Sequence, residues 1–357
     1  MAKIAIIAGD GIGPEVTREA TRLLEWYRDA AGLPLELWPL DLGADRYLRD
    51  GTTLPAALLE RIRRECAAVF VGALGDPRVP GFEHARDILL GMRFGFDLYA
   101  NVRPVRALAD ALVPLKGRRA EHVRFVVFRE NTEGIYVGAG GQIRRGTADE
   151  IAISEDVNTR KGVERILRVA FEHARGTERR RLHMADKSNA MRHAHELWLR
   201  TFQELGPQYP EVEARHLYID SLCLQLVQRP EDFDVIVTNN LFGDIVTDLA
   251  AALQGGLGMA PSANLHPAVP GHIALFEPVH GSAPELAGKD LANPMAALLT
   301  VGMLLSHLGW PDEERRIEAA VTRALVAGEA TPDVGGALGT AAVGAAVRRR
   351  LAEPRGS

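Results

Sequence analysis

Two cysteines, Cys66 and Cys223, are all that the 357 residues contain. They lie far apart without any C-x-x-C partner, which argues against a disulfide framework and against a thiolate metal site. Cys66, inside RECAAVFVG, reads as core packing. A strong charge bias is also missing. The 42 Lys and Arg against 47 Asp and Glu leave a formal charge of -5, and no basic run is longer than a few residues, so nucleic acid is not an expected partner. The Arg348 to Arg350 triplet reads as the solvated end of a helix. No apolar run approaches the ~18 to 20 residues of a membrane span, and the N-terminal run is too short for a signal peptide and leads into Asp10. A cytoplasmic chain with no membrane partner is expected. Internal repeats and low-complexity segments are absent as well.

What remains is 46% hydrophobic and 25% charged, a globular composition in a chain long enough for two domains. Short β-branched runs at 4–8, 67–72, 124–128, 181–185, 234–238 and 272–276 alternate with helical patterns at 14–29, 159–175, 189–205 and 241–253. That alternation predicts an α/β fold with mostly parallel strands. One stretch breaks it: YVGAGGQIRRGTADEIAISEDV, residues 136–157, has the glycines and the alternation of an extended hairpin. Either a second copy of the chain pairs with its edges or it is a solvated surface hairpin.

The opening, IAIIAGDGIGPEV, has the order strand, glycine turn, helix, like a dinucleotide-binding fingerprint. The spacing disagrees. Gly9, Gly11 and Gly13 run into Pro14, Glu15 and Val16, leaving no third glycine where G-x-G-x-x-G needs it.

Four constellations carry candidate chemistry. In VTNNLFGDIVTDLAAALQGG, Asp244 and Asp248 stand at i and i+4 on a helix following a buried strand. Both carboxylates therefore share one face at the sheet edge where α/β proteins bind ligands, as two hard oxygen donors suited to Mg²⁺ or Mn²⁺. Asp220, closing HLYID, is a third acid in a similar place. Arg93, Arg103 and Arg129 offer planar guanidinium groups that suit a small di- or tricarboxylate; Arg129 ends the strand FVVF at a loop, where sites are built. Lys187, closing a strand in HMADKSN, and Tyr136, after a glycine loop, form a candidate base and acid for proton transfer. In FEPVHGSAPELAGKDLANP, His280 precedes the small residues Gly281, Ser282 and Ala283, which permit close approach of a flat ligand. Glu285 there is an acid able to accept hydrogen bonds from a ribose.

Taken in order, GDGIGPE, LYANVRP, RENTEG, DKSN, NLFGDIVTDLAA, EPVHGSAPELAGK, NP and TPDVGG resemble the β-decarboxylating dehydrogenases of the isopropylmalate and isocitrate dehydrogenase family over nearly the whole chain. The resemblance implies an isopropylmalate dehydrogenase-like two-domain fold that is not a Rossmann fold. A discontinuous large cofactor-binding domain covers 1–98 plus 254–357. A small dimerisation domain covers 99–253 with an arm at about 136–157, and the active site lies in the cleft between the domains. It further implies a homodimer with shared active sites, in which Lys187 and Asp220 serve the partner subunit. Arg93, Arg103 and Arg129 then bind substrate carboxylates, Asp244, Asp248 and Asp220 hold Mg²⁺ or Mn²⁺, and Tyr136 donates a proton. Ile12, His280, Gly281, Ser282, Ala283, Glu285, Asn293 and Asp333 contact the cofactor. Glu285 and Leu286 point to NAD, since NADP-dependent relatives tend to carry Lys and Tyr there.

Within the family, HARDILLGMR presents Ile88, Leu89 and Leu90 ahead of Arg93. An apolar wall favours an isopropyl group over a carboxylate, because an unpartnered carboxylate is costly to desolvate. DKSN points the same way. RENTEG and Arg86 point toward the other branches. The expected substrate is 3-isopropylmalate, in leucine biosynthesis, with D-malate or tartrate and then homoisocitrate as alternatives. A non-catalytic regulatory subunit is disfavoured by the presence of Lys187, Tyr136, Asp220, Asp244 and Asp248.

Overall fold

A computed structural model describes residues 1–353. In chain order the strands are β1 Ala2–Gly9, β2 Leu35–Leu40, β3 Ala68–Ala73, β4 Ala100–Arg106, β5 Arg124–Glu130, β6 Gly140–Ile143, β7 Ile151–Ser154, β8 Arg181–Asp186, β9 Glu213–Tyr218, β10 Val235–Thr238, β11 Pro261–Leu265 and β12 Ala274–Pro278. The helices are α1 Gly13–Asp29, α2 Ala44–Asp50, α3 Ala56–Glu65, α4 Glu83–Gly95, α5 Arg160–Gly176, α6 Ala194–Leu205, α7 Ile219–Gln228, α8 Asn240–Leu253, α9 Met295–His307, α10 Pro311–Val326 and α11 Thr340–Ala352. All six expected strands form, the last displaced toward its C-terminal side. The helix expected from residue 189 starts at Ala194 instead. The Asp186 carboxylate accepts the Ser188 backbone N–H at 3.0 Å, and the Lys187 carbonyl accepts from Ala190 and Met191. The chain makes a turn here, and regular helix begins only at Ala194.

The chain divides into two compact units. The first comprises 1–98, 104–123 and the chain from 251 onward. The expected boundaries gave 104–123 to the other unit. Its place here follows from packing: Leu112 is buried in the first unit's core, and the Gln254 side-chain carbonyl accepts the Arg106 N–H at 2.6 Å. The strands run β2-β1-β3-β12-β11, with parallel pairing up to β12 and an antiparallel β11. Alternation along β1 sends Ile4 and Ile6 to one core with α1, α9, α10 and α11, and Ala5 and Ile7 to another with Ile62, Ile88 and Met92. A strand covered on both faces reads as the unbroken apolar run seen in the sequence. In the opening turn, Gly11 has φ +57°, and a Cβ there would lie 2.0 Å from the Ser282 carbonyl oxygen. That same oxygen accepts the Ile12 N–H at 2.8 Å. The glycine admits the protein's own backbone, which is why the dinucleotide spacing is not required.

The second unit comprises 99–103 and 124–250. Its parallel strands run β5-β10-β8-β9. One face packs on α5 and α6, where Phe171 stacks on Phe202 and Tyr209 at 5.4 and 4.7 Å between ring centroids. α7 buries Leu222 and Leu226 but exposes Leu224 and Val227, and α8 exposes Ile245. The predicted hairpin forms as the antiparallel pair β6 and β7, with every residue of both strands exposed. Among the described residues it pairs with no other strand.

Candidate active site

In the second unit, β10 leads directly into α8, so the helix start sits at the C-terminal end of a buried strand. Asn239 caps it: its side-chain oxygen accepts the Phe242 N–H at 2.8 Å. Asn240 turns the other way. Its side-chain oxygen accepts from Arg129 Nε at 2.9 Å and its amide donates to the Glu133 carbonyl at 2.9 Å. One turn on, Gly243 leaves room for Arg129, whose Cγ would be 2.5 Å from an added Cβ. The Arg129 side chain is thus laid along α8 and is only 2% exposed.

Asp244 is where this arrangement converges. One carboxylate oxygen accepts from Arg129 and, at 3.4 Å, from Arg103; the other accepts the Tyr136 hydroxyl at 2.8 Å. Arg103 also donates to Thr247, one turn after Asp244. The Arg129 guanidinium lies 5.2 Å from the centre of the Tyr136 ring. Asp248 follows on the same face. Partial desolvation, and then the charge of Asp244, push its carboxyl above the usual range, against the pull of Arg103 and Arg129. Two crowded carboxylates, with the proton affinity of Asp248 raised, are the condition that a divalent cation relieves, and their oxygen donors suit Mg²⁺ or Mn²⁺. Among the described residues no cluster of three His, Cys, Asp or Glu could hold a metal. Asp220 therefore does not complete the set within one chain.

Asp220 instead pairs with Lys187, Nζ to Oδ1 at 2.6 Å. It lies in the first turn of α7, beyond the strand that was expected to carry it. The hydrogen bond from Lys187 holds the Asp220 carboxyl below its usual range. Both side chains reach solvent, at 27% and 69% exposure. This second cluster is distinct from the Asp244 cluster.

In the first unit, Arg93 at the end of α4 is buried and donates to Glu277 of β12 at 2.6 Å; Asn264 donates to the same carboxylate oxygen at 3.0 Å. On α4, Ile88 is wholly buried in the core and Leu89 is partly packed against it, while Leu90 is half-buried outside that cluster. Arg86 is exposed beside Asp87 at 3.7 Å. Positions 86, 90 and 93 follow helical spacing along one face. The loop after β12 begins at His280, whose ring is buried. Burial lowers its proton affinity and keeps it neutral, and its Nε2 has no hydrogen-bond partner. An orphaned buried nitrogen at the head of this loop is consistent with a ligand closing over it. Ser282 and Ala283 follow, partly exposed, with Ala283 at φ +36°; Gly281 and Glu285 are exposed. Asn293 is committed to the protein: its amide donates to Asp333 at 3.1 Å and its oxygen accepts the Met295 N–H at 3.0 Å. Asp333 also accepts from Thr331 at 2.5 Å, so the clasp fixes the turn at 332–334.

Glu277, Asn239, Asn240 and Thr247 were not singled out from the sequence. Asn239 and Asn240 carried a signal, two amides at a strand-to-helix junction, where caps are favoured. Glu277 opens the motif EPVHGSAPELAGK and is a charge inside an apolar strand.

The sequence pattern described as "Isocitrate/isopropylmalate dehydrogenase" matches residues 3–347. The chain belongs to this family. It is 43% identical to the 3-isopropylmalate dehydrogenase of Thermobifida fusca over 98% of both chains, and 46% identical to that of Mycobacterium tuberculosis over 89% of this chain and 92% of the relative. The crystal structure of isocitrate dehydrogenase from Methylococcus capsulatus superposes with a TM-score of 0.89 at 38% identity, covering 99% of this chain and all of that one. Family members thus bear names for two substrates, and the residues of α4 bear on the choice. Among the described residues, no helix is long and apolar enough to cross a membrane.

Proposed function

We propose that the chain oxidatively decarboxylates 3-isopropylmalate with NAD as hydride acceptor, as a cytoplasmic step of leucine biosynthesis. The observation that carries the substrate is Leu90, with Leu89, one turn before Arg93. An aliphatic side chain beside a carboxylate-binding arginine favours an isopropyl group at the variable position. The names of the curated relatives support the same substrate. Arg86, on the face of Leu90, is the feature that favours the alternative: it suits a further polar group, as in D-malate, tartrate or homoisocitrate.

Roles follow from chemistry. Arg93, Arg103 and Arg129 bind the two carboxylates bidentately. Lys187 accepts the substrate hydroxyl proton and Asp220 stabilises the ammonium so formed; bound NAD would supply the acceptor for the hydride from C2. The bond to the β-carboxylate then breaks, CO₂ departs with its carbon oxidised, and the electron pair passes into the enolate of the 2-oxo acid. Tyr136 returns a proton to carbon. A divalent cation held by Asp244 and Asp248, with Asp220 supplied across a dimer, would lower the cost of negative charge on the substrate oxygens. Ile12, the segment His280 to Ala283 and Glu285 would line the NAD site, with Asn293 and Asp333 shaping its wall. The exposed apolar residues Ile143, Ile151 and Ile153 of the hairpin, with Leu224, Val227 and Ile245, supply a surface for the second subunit.

The test is a kcat/KM panel with 3-isopropylmalate, D-malate, tartrate, isocitrate and homoisocitrate, using NAD⁺ or NADP⁺ and Mn²⁺. The first substrate with NAD⁺ is expected to lead by at least about tenfold. A larger value for any other acid overturns the assignment.

A further inference from the structure

One buried imidazole in the second unit has no part in the chemistry above, yet touches three of the segments that carry it. His195, in the first turn of α6, is completely buried. Its Nδ1 accepts the backbone N–H of Lys187 at 2.8 Å. Its Nε2 lies 3.2 Å from Asp156 Oδ2, at the base of the hairpin, and 2.9 Å from the amide nitrogen of Asn239, the cap of α8. Phe242 packs edge-on against the ring at 5.2 Å. Asp156 also accepts from Asn158 at 2.9 Å, and Asn158 in turn accepts from the buried Trp198 at 2.8 Å. The hairpin base is therefore fixed to α6 at two points.

We infer that His195 is a positioning residue: it holds Lys187 in register with the base of the hairpin, so that seating the hairpin sets the position of the catalytic lysine. The geometry supports this in steps. Accepting from the Lys187 N–H requires an unprotonated Nδ1, so the neutral ring carries its proton on Nε2 and donates it to the Asp156 carboxylate; the Asn239 amide nitrogen, itself a donor, packs beside Nε2 without a hydrogen bond to it. The ring then bridges a donor on the lysine segment and an acceptor on the hairpin, and neither segment can move without breaking a buried hydrogen bond. Lys187 follows β8 in a turn and not in regular structure, so its backbone has few other restraints. Besides the bond to His195, its carbonyl accepts from Ala190 and Met191. A lysine base acts only within hydrogen-bond reach of the proton it takes, so small displacements are felt in the rate. The inference rests on the role proposed for Lys187.

Two replacements separate the two bonds. In His195→Asn the side-chain oxygen can still accept the Lys187 N–H but cannot reach Asp156. In His195→Gln the longer amide reaches Asp156 and leaves the Lys187 N–H without its acceptor. Asp156→Asn tests the hairpin side without altering the core. Backbone hydrogen exchange of the Lys187 segment gives a reading independent of turnover. The Lys187 amide is expected to lose protection at least about tenfold in the Gln variant and to keep most of it in the Asn variant. On 3-isopropylmalate, His195→Gln should lower kcat at least about tenfold, with KM changed less than about threefold and a larger solvent deuterium isotope effect on kcat, because proton removal becomes slower. His195→Asn should retain more of kcat than His195→Gln, and Asp156→Asn should lower kcat by a smaller factor. If all variants keep wild-type kcat and isotope effect in an active protein, the inference is wrong while the function stands. Equal loss in both His195 variants, tracking lowered thermal stability, likewise overturns it by making the residue merely structural. A wild-type protein inactive on all five acids instead overturns the functional reading, and the exchange data still decide whether His195 restrains Lys187.

Discussion

Replacing Asp244 by Asn separates its charge from its shape. The amide oxygen of Asn can still accept from Arg129, and its nitrogen can donate to the Tyr136 oxygen, so the hydrogen-bond count is preserved while the charge is lost. The arginines keep their charge, so each bond loses only the carboxylate's share; with charge-assisted bonds contributing roughly 1.5 to 3 kcal/mol, two weakened arginine contacts would cost at most about 2 kcal/mol if fully buried. The Asp244 side chain is 41% exposed, however, and the Arg103 contact is long at 3.4 Å. Solvent screening reduces the cost to about 1 kcal/mol. Relief of Asp248 from a like charge offsets part of that. The melting temperature in the absence of metal should therefore fall by no more than roughly 2 to 4 °C. Turnover should fall far more, on the order of 10²- to 10⁴-fold, because the proposed ligand of the divalent cation and the counter-charge to the two arginines proposed to bind substrate are lost together. Thermal denaturation without metal, Mn²⁺ titration and kcat/KM at saturating Mn²⁺ read the three quantities separately. Undiminished Mn²⁺-dependent turnover would remove Asp244 from the metal site. A fall in melting temperature beyond about 10 °C would show that its role is to hold Arg129, and the kinetic argument would fail with it.

Further outcomes follow from the same clusters. Mixing inactive Lys187→Ala with inactive Asp244→Ala subunits should restore part of the activity once exchange is demonstrated; no recovery would argue against sites shared across a dimer. Because the Asp248 carboxyl is raised above its unfolded value, the folded protein binds more protons there than the unfolded chain as pH climbs through the carboxylate range. Its contribution to stability is therefore lost as pH rises from about 3.8, the ordinary value, through the raised one, and a bound cation restores it. Mn²⁺ affinity should accordingly rise with pH over that window, and a slope unchanged in Asp248→Asn would show that another group titrates. Arg93→Met leaves Glu277, 9% exposed, with the Asn264 amide donating to it at 3.0 Å and no cation beside it among the described residues. A loss of roughly 3 to 5 kcal/mol in urea denaturation is expected, of which the added Glu277→Gln recovers at least half. A double variant no more stable than the single would refute the buried pair.

The elements legible in the sequence were those whose determinants are local. β1, β3, β5, β8 and β10 are short apolar runs between polar stretches, and α1, α5 and α8 keep their apolar face at helical spacing, so each was bounded to within a residue or two. The hairpin was legible because its alternation and glycines are local too. Where the chain makes a turn before α6, the apolar pattern placed the helix start too early.

The site divides along the same line. Asp244 and Asp248 sit one turn apart, and helical periodicity alone puts them on one face. The partners that give these residues their chemistry come from afar: Glu277 is 184 positions from Arg93, Asn240 is 111 from Arg129, and Asp156 is 39 from His195. No periodicity links such pairs, because they are joined by the strand order that sets β12 beside β3 and β10 between β5 and β8. Arg93 illustrates the consequence. Read alone, it is a free guanidinium awaiting a carboxylate; in the fold, a carboxylate of the protein already holds it. The substrate binding proposed for it therefore depends on how Glu277 shares that charge, and replacing the acid should alter substrate affinity.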